Sequence, residues 1–181
     1  MPPLEERSFG LWIVITIFTG GIGLLFYYYL NLNDLEKLSY YPVPSNVPST
    51  KVNSSVLLVL LICLPPIGFL ISGYFKYEKL HNFIKEHPQM THHSKVVDGI
   101  KFLLIWIIGG LLITLFSGGI EIAWDYYGYL DYKYYLIVRY VMISLILITV
   151  IVMVVLFCII ESRWQNAYND RVRLQTMAIR Y

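Results

Sequence analysis

The chain has 181 residues, of which 57% are hydrophobic and only 14% charged, with a formal net charge of +2. A soluble domain carries about 25% charged residues to clothe a surface that faces water, so much of this surface faces something else. The length suits one compact unit, and the small net charge gives no reason to expect a nucleic-acid partner.

Four charge-free stretches organise the chain: Ser8 to Asn33, Val52 to Phe75, Phe102 to Ile120, and Tyr140 to Ile160. Each is near or above the ~20 residues that carry a helix across ~30 Å of hydrocarbon. Backbone groups in lipid must bond within their own segment, which makes these helices. Alternating strands of about ten residues, the mark of a barrel, are missing. The expected fold is an all-α integral membrane four-helix bundle, forming a single membrane domain over residues 1–181.

The first stretch follows Pro2, Pro3, Glu5 and Glu6, a poor basic region for a signal peptide, so it reads as a retained helix. Gly20-Gly21 lies late in it. The second stretch opens beside the sequon Asn53-Ser54-Ser55, too close to the span for ready modification. Pro65-Pro66 then removes the donors to the carbonyls of Leu61 and Ile62, which predicts a kink. Gly68, Ser72 and Gly73 add flexibility there. The loop that follows holds His81, His87, His92 and His93 without a recognised metal-ligand spacing. The third stretch carries Gly118-Gly119 and ends at Glu121 and Asp125; Arg139 begins the fourth. Cys63 and Cys158 sit in apolar runs about ten residues apart in depth, as buried free thiols rather than a disulfide.

The chain also repeats itself. Residues 15–22, Ile-Thr-Ile-Phe-Thr-Gly-Gly-Ile, match residues 113–120, Ile-Thr-Leu-Phe-Ser-Gly-Gly-Ile. Tyr28-Tyr29 aligns with Tyr126-Tyr127, and a weaker echo joins Leu80-His81-Asn82-Phe83 to Trp164-Gln165-Asn166-Ala167. Two parallel two-helix repeats follow, over about 8–95 and 96–181. The pattern of Arg7, Trp12, Thr19, Gly21, Ile22 and Tyr27 to Tyr29 resembles a prokaryotic membrane family of unknown function. The Ile- and Tyr-rich composition has an archaeal cast. The resemblance implies a membrane fold and carries no activity or cofactor.

Two chemistries suit the glycine pairs. Gly20, Gly21, Gly118 and Gly119 let helices approach closely, with the first and third spans crossing at a pseudo-twofold axis. Alternatively they unwind the helix and expose carbonyls to a substrate. Glu121 and Asp125 are four apart and share a helix face. They form an ion pair with Arg139, or else hold a metal or relay a proton.

Charge sets the sidedness. Four spans put Arg7, Lys76, Lys79, Lys85, Lys95, Lys101, Arg163, Arg171, Arg173 and Arg180 on one side, against Lys37, Lys51, Lys133 and Arg139. That bias predicts both termini in the cytoplasm. Twelve tyrosines, among them Tyr27, Tyr28, Tyr40, Tyr41, Tyr126 and Tyr140, then fall outside, as a headgroup belt or as a docking surface. The function expected is a non-catalytic accessory or scaffolding subunit of a larger membrane complex, with no cofactor. Its partners are the lipid bilayer and other membrane subunits met by the Tyr-rich face. The alternatives are a small transporter or channel using Glu121 and Asp125, and then a membrane enzyme.

Overall fold

In the computed structural model the described residues are 3–42, 46–86, 96–127 and 131–178, with side chains to residue 174. Among them the chain forms six helices and no strand. His87, His92, His93, Lys95, Tyr129, Arg180 and Tyr181 lie outside the described residues.

Ser8 opens α1 (Phe9–Phe18) by accepting a hydrogen bond from the Leu11 amide at 3.4 Å, the usual role of a short hydroxyl at a helix start. The helix stops after ten residues, because Gly20 and Gly21 take φ of +59° and +99°. Only glycine enters that left-handed region at low cost. α2 (Ile22–Leu38) then runs back along α1, with the Phe9 and Trp12 rings against Tyr27. The Thr19 hydroxyl accepts from the Gly23 amide at 2.8 Å across the turn. A Cβ on Gly23 would lie 2.8 Å from the Thr16 nitrogen, so this glycine lets the two backbones touch.

The second stretch folds the same way by different chemistry. The Asn53 side chain caps α3 (Ser54–Cys63), accepting from the Val56 amide at 3.1 Å. Leu64 leaves the helical region (φ −132°, ψ 65°), which is disfavoured for a residue before proline. Pro65 and Pro66 then open α4 (Pro65–Glu86), where their missing N–H groups leave no helical bond unmade. α4 returns along α3: the Ser72 hydroxyl donates to the Leu57 carbonyl at 3.2 Å, and a Cβ on Gly68 would strike the Leu60 carbonyl.

These two hairpins correct the expected spans. Residues 8–33 and 52–75 are not unbroken helices. Gly20-Gly21 makes a reversal rather than a packing contact: nothing lies within 4 Å of a Cβ placed on either. Pro65-Pro66 marks a complete helix boundary rather than a kink. Gly68, Ser72 and Gly73 are buried packing positions rather than points of flexibility.

α2 lies against both α3 and α4. The Thr50 hydroxyl donates to the Leu35 carbonyl at 2.9 Å, and the Ser54 amide donates to the Glu36 carboxylate at 3.1 Å. The two hairpins therefore stand side by side with their turns at one end. That end is apolar and exposed, with Ile17 72% and Phe18 85% accessible and Ile22, Ile62 and Leu64 also outward. The opposite end is polar. There Arg7 holds Asp34 through Nε at 2.5 Å and Nη2 at 3.1 Å.

Among the described residues only two helices are long and apolar enough to cross a membrane: α5 (Gly99–Tyr127) and α6 (Tyr132–Ala178). The chain divides into two compact units, Met1–Leu103 with Ile159–Tyr181, and Leu104–Cys158. In the second unit α5 and α6 run antiparallel. Trp106 meets Phe157 and Trp124 meets Tyr135, both edge-on, and Met153 and Met142 cover Gly109 and Gly119. Gly119 thus faces Met142 of α6 rather than the first stretch, whereas Gly118 has open space beside it. Both cysteines are free, but Cys63 is exposed rather than buried.

Candidate functional site

The only charges sealed completely from solvent among the described residues are Lys76 on α4 and Glu161 on α6, both in the first unit. The Lys76 ammonium donates to Glu161 Oε2 at 2.5 Å. The Tyr27 hydroxyl donates to the same oxygen at 2.9 Å, and the Tyr77 hydroxyl donates to Oε1. The carboxylate thus has three donors, which a buried charge requires if it is not to be very costly.

Four rings surround the ammonium. Its nitrogen lies 4.4 Å from the Tyr28 centroid, 4.5 Å from Trp164, 4.8 Å from Tyr27 and 5.4 Å from Tyr77. Each distance falls within cation–π range, and the attraction grows in a dry site. Burial pushes the Lys76 ammonium downward, with the Glu161 carboxylate opposing the shift. Burial and the neighbouring carboxylate push the Tyr27 and Tyr77 hydroxyls upward, which keeps both as donors.

The surrounding shell ties these groups to the polar end of the hairpins. The Trp164 indole donates to the Lys76 carbonyl at 3.1 Å and its ring stacks on Tyr168 at 5.6 Å. Gln165 Oε1 accepts from Tyr27 at 3.3 Å, and its amide donates to Asn169 at 3.1 Å. Asn169 clasps the backbone of Arg7 from both sides, accepting from its amide at 3.1 Å and donating to its carbonyl at 2.8 Å. Three helices, α2, α4 and α6, meet at one ion pair. The arrangement can lock helices together. It offers no open position for a substrate, since Lys76 and Glu161 are wholly enclosed.

Sequence reasoning missed this site. The sequence places Lys76 among the charges of one membrane side and Tyr27 and Tyr28 among the external aromatics; in the structure all three are buried. A signal was present. Glu161, Gln165 and Asn169 recur every fourth residue, interleaved with Trp164 and Tyr168, directly after a charge-free run. That stripe marks a buried polar helix face.

The residues singled out from sequence fall elsewhere. Glu121, Asp125 and Arg139 are all exposed, and no ion pair joins Arg139 to either carboxylate. Arg139→Ala is therefore expected to change stability by less than about 0.5 kcal/mol, read as an unchanged melting temperature in detergent. His81 is engaged with the Val96 carbonyl at 2.9 Å. Among the described residues no three His, Cys, Asp or Glu side chains come together as metal ligands. No family model matches this chain, and neither a curated protein nor a solved structure is significantly similar to it.

Proposed function

We propose that this chain is a non-catalytic accessory or scaffolding subunit of a larger membrane complex, crossing the bilayer twice and seating two re-entrant hairpins from one side. The single observation that carries the reading is the sealed Lys76–Glu161 pair. The two fully buried charges of the first unit are spent on one another, whereas a catalytic or transporting group must be reached from outside.

The membrane placement has its own support. α1 and α3 have ten residues each, about 15 Å at 1.5 Å per residue. That is half of the ~30 Å hydrocarbon thickness. The Arg7–Asp34 contact ties the two ends of the first stretch together, which suits a segment that enters and leaves on one face. On this topology every Lys and Arg of the chain's 14 lies on the side of the hairpin bases except Lys133 and Arg139. The asymmetry exceeds that of four spans and favours a cytoplasmic base with both termini inside. Tyr126, Tyr127, Tyr132, Tyr134 and Tyr140 remain exposed on the other side, and suit contact with a neighbouring subunit.

Cysteines introduced at Ser49, Lys85 and Lys133 test the topology in intact cells. Only the Lys133 position should react with an impermeant reagent added outside. Labelling at Ser49 but not at Lys85 would restore the four-span arrangement. Gentle extraction followed by native mass measurement tests the function. Stoichiometric association with other membrane subunits is expected; a lone symmetric oligomer that conducts ions in vesicles would overturn the accessory role.

A further inference from the structure

A groove of about 350 Å³ runs between α3 and α4 in the first unit. Its walls are apolar, formed chiefly by Val56, Leu60, Ile71 and Phe75, and Lys51 and Lys79 stand at its polar end. The volume lies in the ~300–1,000 Å³ range of small-ligand sites. No carboxylate lines it, and among the described residues neither lysine has an ion-pair partner. Two free cations over an apolar channel match one kind of molecule: an anionic head on a hydrocarbon tail.

We propose that this groove is a site for an anionic phospholipid, with the phosphate held by Lys51 and Lys79 and part of one acyl chain lying along Val56, Leu60, Ile71 and Phe75. The proposal rests on the re-entrant placement of the α3–α4 hairpin. Lys51 precedes α3 and Lys79 lies on α4 well beyond the turn at Leu64, so both belong to the hairpin base. There a headgroup of the same leaflet would meet them. Basic pockets at the cytoplasmic surface recognise such headgroups, and the apolar channel adds selection for a lipid over a free anion.

The test uses the full chain in nanodiscs of phosphatidylcholine doped with phosphatidylglycerol, with retained lipid counted by native mass spectrometry. The wild type should retain phosphatidylglycerol in preference to phosphatidylcholine, less so at high salt. Lys51→Gln and Lys79→Gln should each weaken the preference about five-fold, and the double variant on the order of thirty-fold. Lys85→Gln, outside the groove, should leave it intact. Leu60→Trp, which fills the channel, should lower retention while both lysines remain. The melting temperature of each variant in lipid-free detergent identifies any loss due to misfolding, and Val56→Phe replaces Leu60→Trp if the latter unfolds. Equal retention of the two lipids by the wild type, or an undiminished preference in the double variant, overturns the proposal. Stabilisation by inorganic phosphate as strong as by phosphatidylglycerol, insensitive to Leu60→Trp, would make the lysines a simple anion site and also overturn it. Release of the wild type from membranes by alkaline carbonate would instead refute the membrane placement itself.

Discussion

Lys76→Met should destabilise the protein by about 3–5 kcal/mol, the cost of leaving one partner of a buried ion pair alone. The variant strands Glu161 with two tyrosine donors and no cation. It also empties an aromatic cage whose four rings stand within 5.4 Å of the ammonium. Because the pair joins α2, α4 and α6, both hairpins should loosen together. Thermal unfolding in detergent, with protease access to residues 34–53, measures this directly. The double variant Lys76→Met/Glu161→Gln removes both charges while keeping an acceptor for the tyrosines, and should recover most of the loss. An equal or greater loss in the double variant would show that the pair does more than neutralise itself. A Lys76→Met protein as stable as the wild type would remove the lock from the site altogether.

Gly23→Glu should open the first hairpin. The wild-type backbone at this position sits where a Cβ would be 2.8 Å from the Thr16 nitrogen. A backbone neighbour cannot swing aside as a side chain can, and overpacking of this kind costs ~1–3 kcal/mol before any charge is considered. A carboxylate at an enclosed position adds desolvation to that steric cost. Spin labels at Gly10 and Leu30 report the result. In the hairpin they lie near one packed-helix separation of ~10 Å. In one continuous helix they would be about 30 Å apart at 1.5 Å per residue. The short distance should give way to a long or broad distribution in Gly23→Glu. An unchanged short distance would mean that the turn itself, Gly20 and Gly21, suffices to hold the reversal.

That second experiment arises from a comparison inside the chain. Residues 15–22 and 113–120 are nearly the same sequence, yet the first copy reverses at its glycine pair and the second continues as helix through Gly118 and Gly119. The next residue differs: Gly23 in the first copy, Glu121 in the second. Gly23 accommodates the close return of the chain, and Glu121 cannot. The two segments are similar in sequence but take different structures, so the glycine pairs do not share one role.

Composition and local chemistry alone dictate much of the rest. Long charge-free runs demand helices, and α5 and α6 are found over the two runs that expectation placed there. Glycine and proline pairs mark where a helix can stop, and both helix boundaries inside the first two runs fall at them. A pair of such residues does not say whether the chain kinks or turns back. That depends on contacts made by residues remote in sequence: the Arg7–Asp34 pair, Ser72 on Leu57, and Lys76 on Glu161, 85 positions away. A lysine at the end of an apolar run has the same local signature whether it faces lipid headgroups or a buried carboxylate. Only the tertiary structure supplies the partner, and a charge leaves water only when that partner is in place.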